Sequence, residues 1–217
     1  MNLIDLTIEA RGFAPASVGI AVRSIGACFA ACHRPDSRIL TGIGLLIVTP
    51  APTGQYQFST LARCLREDER PIDLLDWLET ELPTVDAIVS WSNWGSVPAR
   101  IAALADPERH PHLVSAAADT AGRWRVLPRG HVWHLRQARA QAMPCLCPPR
   151  FPVDECRREM PMALLPDPDL TAQQLIAEAT AGWRAWAQGF GVLDADHPAQ
   201  IALRDLNAWR SEQRDAG

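Results

Sequence analysis

The sequence predicts an α/β fold in which a mixed sheet is flanked by helices. Ile39–Pro50 is an almost continuous apolar run, as in a strand buried on both faces, and turn residues after it return the chain as a hairpin strand at 55–59. A helical pattern at 67–82 then leads into a short buried strand at 86–91 and a second helix at 96–105. A hairpin followed by helical crossovers is typical of a mixed sheet.

The segments on either side of this centre are less regular. Residues 1–10 alternate apolar and polar side chains, which predicts a first strand. The Ala-, Gly- and Cys-rich residues 16–32 favour a helix. A Pro-rich irregular segment covers 144–168, and helices are predicted at 171–189 and 198–214.

The two tryptophans of the first C-terminal helix, Trp183 and Trp186, are three residues apart on one side of it, so we expect them to pack on the core. We expect one domain over 1–217, with a core at 1–106, an insertion at 107–170 and C-terminal helices at 171–217.

The composition limits the classes of protein to which this chain can belong. The chain has 217 residues, 47% of them apolar, and a net charge of -4, which is ordinary for a globular domain and excludes a uniformly basic binder. Uninterrupted apolar runs are strand-sized, so no membrane span is expected. The N-terminus lacks the basic start and apolar stretch of a signal peptide. We therefore expect a cytoplasmic protein whose six cysteines are reduced.

Basic residues are concentrated in one segment. Residues 120–153, here called the Arg/Trp segment, contain six arginines and two tryptophans and no aspartate or glutamate. Arginine forms bidentate contacts with phosphate, and tryptophan offers a flat face for unpaired bases. The segment therefore predicts binding of single-stranded nucleic acid, while a solvated basic face and a protein interface remain alternatives. The predicted contacts are Arg123, Arg125, Arg129, Trp133 and Arg136, together with Asn93 from the turn after the buried strand.

Carboxylates decide whether the chain could cleave nucleic acid. Two-metal phosphodiester cleavage needs several carboxylates that converge on two ions about 4 Å apart. Asp5 and Glu9 share one face of the predicted first strand, because side chains alternate along a strand. Asp205 lies in the last predicted helix.

Residues 67–98 carry a family resemblance. An acidic helix start, Glu67-Asp68-Glu69-Arg70, leads to a buried strand ending in Trp91-Ser92-Asn93-Trp94-Gly95, and Pro98 opens the next helix. This order resembles the DEDD 3′–5′ exonucleases of ribonuclease H-like fold, in particular those similar to the proofreading domain of family B polymerases. The resemblance covers about 1–106 and 195–210.

The resemblance implies a ribonuclease H-like sheet and a site for Mg²⁺ or Mn²⁺, with Asp5, Glu9 and Asp205 as its catalytic and metal-binding carboxylates. The motifs are degenerate. In the family's first-strand Asp-x-Glu, Thr7 stands in place of Glu if Asp5 is the matching acid, and in place of Asp if Glu9 is. Ser96 stands where the family has a metal-binding Asp and Ile201 where it has Tyr. Loss of a ligand from a two-metal site removes the ion that stabilises the attacking or leaving oxygen. The implied protein binds nucleic acid with reduced or lost 3′–5′ cleavage.

Cysteines offer a second metal chemistry. Cys28, Cys32 and His33 could combine with Cys145, Cys147 and Cys156 as a structural zinc site, but paired Cys-x2-Cys spacing is absent. Buried unpaired thiols are the favoured interpretation.

Two other functions stay open. The first is an active metal-dependent nuclease whose carboxylates are placed differently, at Asp86, Asp119, Asp194 and Asp196. The second is a structural or adaptor subunit, in which the Arg/Trp segment and the C-terminal helices bind another protein.

Overall fold

The computed structural model describes residues 12–26, 38–66, 68–91, 97–127, 168–190 and 196–215. These ranges contain five strands and five helices: β1 Ser17–Gly26, β2 Arg38–Pro50, β3 Tyr56–Cys64, α1 Pro71–Glu81, β4 Ala87–Trp91, α2 Val97–Leu104, α3 Pro111–Ala118, β5 Trp124–Leu127, α4 Pro168–Gln188 and α5 Pro198–Asp215.

The five strands form one mixed sheet in the order β3-β2-β1-β4-β5. Strand β2 is antiparallel to both of its neighbours, whereas β1 is parallel to β4 and β4 is parallel to β5. Four strands therefore end at the same end of the sheet, here called the carboxyl end, and they start at the opposite amino end. The predicted α/β class with a mixed sheet flanked by helices is confirmed.

Strand β1 corrects the prediction of a helix at 16–32. Val18 and Ile20 face the core shared with α1, α2 and α3, while Gly19 and Ala21 face α4. A central strand is covered on both faces, and the side under a closely packed helix requires small residues. Its Ala- and Gly-rich composition therefore reflects packing rather than helix propensity. The predicted first strand, at 1–10, lies outside the described residues.

The other predicted elements are confirmed with shifted ends. These are β2, the hairpin strand β3, α1, β4, α2, α4 and α5.

Two elements between 107 and 170 were not expected from the sequence. Helix α3 packs beside α1 and α2, and β5 extends the sheet next to β4. The indole Nε1 of buried Trp124 donates to Ala116 O at 2.9 Å, which joins β5 to α3.

Helices cover both faces of the sheet. Helices α1, α2 and α3 bury one apolar core against it, and α4 and α5 bury a second core on the other face. Trp183 and Trp186 are fully buried in the second core, as expected. No helix in the described ranges is both long and apolar enough to cross a membrane.

Helix α4 lies unusually close to the strands beneath it. A Cβ atom at Gly19 would lie 2.5 Å from Ala179 O, and one at Gly44 would lie 2.7 Å from the backbone carbon of Leu175. Such contacts are shorter than packed atoms tolerate, so glycine is required where α4 crosses β1 and β2. The crossing also fixes the direction of α4, which runs from the carboxyl end of the sheet to the amino end.

We expect Gly44→Ala to lower the free energy of unfolding by about 1–3 kcal/mol, because the added methyl group overpacks the α4 interface. Urea denaturation of wild type and variant measures the change. Ser59→Ala, on the exposed side of β3, is the control and should leave stability nearly unchanged. Equal stability of Gly44→Ala and wild type would contradict the packing argument.

Candidate nucleic-acid interface

The structure describes three of the predicted site residues: Asp205, Arg123 and Arg125. The other predicted positions lie outside the described residues and stay predictions: Asp5, Glu9, Asn93, Arg129, Trp133 and Arg136. The same holds for Ser96 and for the cysteines and histidine of the zinc hypothesis.

Asp205 is half-buried on α5 and contacts the amino end of the sheet. Its Oδ2 accepts a hydrogen bond from the backbone N–H of Tyr56, the first residue of β3, at 2.9 Å. Burial, and secondly the charge of Asp205, raise the pKa of the Tyr56 phenol. The carboxylate therefore has a clear role in joining α5 to β3.

Arg123 and Arg125 lie at the start of β5, which is at the opposite edge of the sheet from β3, the strand that Asp205 contacts. Arg123 Nε is 3.8 Å from Asp119 Oδ2, and Arg125 Nη1 donates to Gly122 O at 2.7 Å. Strands β3 and β5 are the outer strands, and four strand spacings separate them by about 19 Å. The structure thus keeps Asp205 apart from these two arginines, although all three lie towards the amino end.

Acidic side chains are missing from the strands that the structure describes. None of the five described strands contains Asp or Glu, and they carry four arginines: Arg23, Arg38, Arg63 and Arg125. Among the described residues, no three His, Cys, Asp or Glu side chains are grouped so that they could hold a metal ion. The donor set in this part of the chain does not fit a two-metal site.

The alternative carboxylates do not supply such a group either, as far as the structure describes them. Asp86 is exposed just before β4, where its N–H donates to Ala16 O at 3.3 Å. Asp119 accepts a hydrogen bond from Gly122 N at 2.9 Å. Asp196 lies in the turn before α5, and Asp194 lies outside the described residues.

Two arginines outside the predicted interface lie at the carboxyl end of β1. Arg23 Nη1 donates to Gln174 Oε1 of α4 at 2.9 Å. On the other face of the strand, Arg100 Nη1 of α2 donates to Ser24 Oγ at 3.1 Å. Both named partners are neutral. In the described part of the chain, no ion pair includes Arg23.

Cys64, at the end of β3, is near the same place. Burial raises the pKa of its thiol, while the charge of Arg23 lowers it less. A raised pKa disfavours the thiolate, which is the reactive form of cysteine. Cys64 is therefore suited to packing rather than to nucleophilic chemistry.

Tryptophan in the described ranges serves packing. Trp91, Trp124, Trp183 and Trp186 are buried, and Trp77 and Trp209 pack against the two cores. The ring of Phe13 stacks on Trp186 with centroids 5.1 Å apart. Base stacking by tryptophan would thus fall to residues outside these ranges, such as Trp133.

An Asp–His pair lies between α1 and α3. His110 is completely buried, and its Nδ1 accepts a hydrogen bond from Asp106 N at 3.0 Å. Its Nε2 therefore carries the proton and donates to Asp76 Oδ1 at 3.1 Å. Arg109 also donates to the Asp76 carboxylate through two nitrogens.

A second carboxylate strengthens the same junction. Glu79, one turn after Asp76 on α1, accepts hydrogen bonds from His112 N and Leu113 N at 2.8 Å each. It thus caps the N-terminus of α3, where backbone N–H groups lack partners within the helix. Since both imidazole nitrogens of His110 are engaged and the ring is buried, the pair is structural rather than catalytic.

No family model, curated protein or solved structure matches this chain.

We expect Asp76→Asn to lower the free energy of unfolding at neutral pH, and to lower it by a smaller amount in acid. The hydrogen bond from Arg109, and secondly that from His110, lower the pKa of the Asp76 carboxyl. A carboxyl whose pKa is lowered on folding stabilises the protein above its unfolded pKa, about 3.9, and loses this contribution as the pH falls through the folded pKa. The measurement is urea denaturation at several pH values between about 7 and 3.

Groups that do not contact Asp76 titrate alike in both proteins, so the difference in free energy of unfolding between wild type and Asp76→Asn reports on this junction. The difference should be constant above about pH 5 and shrink below about pH 4. Asp68→Asn, an exposed position before α1, is the control and should show no such difference. If the difference in free energy of unfolding between wild type and Asp76→Asn stayed the same down to pH 3, it would contradict the stabilising role of the ionised Asp76 carboxylate.

Proposed function

We propose that this protein is a nucleic-acid-binding domain related to the DEDD exonucleases of ribonuclease H-like fold, with reduced or lost 3′–5′ cleavage. The helix–strand–helix order of α1, β4 and α2 supports the relationship, because it is the order in the segment that carries the sequence resemblance. The mixed sheet with helices on both faces is the architecture that the resemblance implies.

One observation carries the functional part of the proposal. The described strands hold arginines and no carboxylates. Of these arginines, Arg23 bonds to the neutral side chain of Gln174, and a guanidinium group attracts phosphate and repels metal ions. This charge pattern of the described strands supports the proposal of binding with reduced or lost cleavage. The Arg/Trp segment adds arginines next to β5 in sequence.

The first test is a time course with end-labelled single-stranded DNA and RNA in Mg²⁺, Mn²⁺ or EDTA. We expect a shifted band on native gels and an intact oligonucleotide on denaturing gels in all three conditions. Metal-dependent shortening from the 3′ end would instead indicate an active nuclease. Neither a shift nor shortening would favour the adaptor hypothesis, in which the Arg/Trp segment is a protein interface.

A double variant tests the predicted interface. We expect Arg129→Ala with Arg136→Ala to weaken oligonucleotide binding and to reduce the slope of log affinity against log salt by about two, because each phosphate contact contributes about one. Fluorescence anisotropy across a salt series measures both. Arg204→Ala with Arg210→Ala, two exposed positions on α5, is the control of equal charge. An unchanged affinity and slope in the first variant would contradict the assignment.

A further inference from the structure

Strand β3 is an edge strand of the described sheet, and two contacts at its ends show which of its backbone groups face β2. In an antiparallel pair, only every second residue of a strand points its N–H and C=O at the neighbouring strand. Just before β3, Gln55 O accepts a hydrogen bond from Ala51 N at 2.7 Å. Just after it, Leu65 N donates to Thr41 O at 2.9 Å. The odd-numbered residues of β3 therefore bond to β2.

The even-numbered residues of β3 point their backbone groups away from the sheet. Tyr56 agrees with this assignment, because its N–H donates to Asp205 of α5 rather than to β2. Among the residues that the structure describes, no hydrogen bond reaches the outward N–H and C=O groups of the remaining even-numbered positions. These four open positions are Phe58, Thr60, Ala62 and Cys64.

Strand β3 carries little that would prevent another strand from adding to it. Edge strands are commonly protected by proline, by charged side chains or by a bulge. In β3 there is no proline, its pairing with β2 has no bulge, and its only charged residue, Arg63, forms an ion pair with Glu69. Asp205 protects Tyr56 alone. The four open positions are thus accessible to a further strand.

The outward edge is complementary to itself in one antiparallel register. Two copies related by a twofold axis at Leu61 place each open position opposite an open position of the other copy, and Tyr56 stays outside the ladder. Each of these pairs exchanges two hydrogen bonds, which gives about eight in total. The pairs formed are Phe58 with Cys64 and Thr60 with Ala62, each occurring twice.

Neighbouring registers use the edge less well. An axis one or two residues earlier brings Tyr56 into the ladder, and its N–H is already occupied by Asp205. An axis one residue later places Phe58 opposite Arg66, which follows the strand and whose N–H already donates to Glu69. The register centred on Leu61 is therefore the one that satisfies every open position.

The side chains of β3 are compatible with this register. Leu61 is half-buried and meets its own copy in a pair without direct hydrogen bonds, where side chains approach most closely. Arg63 faces Ser59 of the second copy, so like charges are not placed opposite each other. On the α5 side, the half-buried ring of Trp209 lies 5.8 Å from that of Phe58, beside the end of the ladder. Tryptophan is a frequent contributor to protein interfaces.

We propose that the outward edge of β3 is a dimer interface, at which a second copy of this chain adds its own β3 antiparallel around a twofold axis at Leu61. The two sheets then form one continuous sheet. This inference goes beyond the proposed function and does not depend on it. The ladder of residues 58–64 spans only about 24 Å, so we expect a small interface and a dissociation constant of about 1–100 μM.

The first test is sedimentation velocity of the full-length protein between about 1 and 300 μM. We expect the weight-average mass to rise from monomer towards dimer over this range. Thr60→Pro removes an outward N–H at the centre of the ladder and spares the hydrogen bonds to β2, so it should raise the dissociation constant at least tenfold. Gln57→Ala, exposed on β3 but outside the paired residues, is the control and should dimerise like wild type.

The second test is a disulfide at the twofold axis. Cα atoms of residue 61 in the two copies would lie about 4.5 Å apart, within the range that a disulfide spans. We expect Leu61→Cys to form a covalent dimer on mild oxidation, reversed by dithiothreitol. Ser59→Cys is the matched control, because its own copy lies about 14 Å away along the strands. Wild type and peptide mass spectrometry separate this link from links through the six natural cysteines.

The outcomes decide both the interface and its register. A dimer that Thr60→Pro weakens and that Leu61→Cys links covalently supports the proposal. A monomer at every concentration overturns it, as does a dimer that Thr60→Pro retains with the wild-type dissociation constant. A link through Ser59→Cys but not through Leu61→Cys overturns the register. Circular dichroism establishes that each variant is folded, and if Thr60→Pro does not fold, the disulfide carries the test.

Discussion

The close contact between α4 and the two strands beneath it is the constraint on which the rest of the structure depends. Glycines at 19 and 44 bring the helix backbone onto the strand backbone, and Gly42 leaves room for the Leu175 side chain. That contact places Gln174 beside Arg23 at one end of β1, and Trp183 Nε1 2.9 Å from Ser17 Oγ at the other. A single helix therefore organises both ends of the central strand.

The fold class could be predicted because its strongest signals are local. The apolar run of β2, the turn after it and the helical spacing of α1 each lie within a short stretch of chain. Strand β1 could not be recognised in the same way. Along β1, branched apolar residues alternate with glycine and alanine. The small residues are required by a helix that packs on this face and lies about 150 residues further along the chain. Strand β5 has only four residues, which is too short for a periodic signal.

The charge pattern of the candidate site could be predicted only in part from the sequence. Composition identified the Arg/Trp segment, but it could not distinguish arginines with local partners, such as Arg125, from those placed at a strand end. Arg23 and Gln174 are 151 positions apart, and Tyr56 and Asp205 are 149 apart. Such pairs depend on how the elements are stacked, which residue spacing does not encode. The His110 contacts were missed for the same reason, since Asp76 is 34 residues away.

The bond between Asp205 and the first residue of β3 has a consequence for the behaviour of the protein in concentrated solution. Strand β3 is an outer strand of the described sheet, and an outer strand offers backbone groups to which another chain can add. Asp205 occupies the N–H of Tyr56 and places a negative charge beside it. Charged side chains at such positions oppose strand-to-strand association. The acidic residue that the family resemblance assigned to metal binding therefore occupies one of the backbone positions at which a strand of another chain could pair.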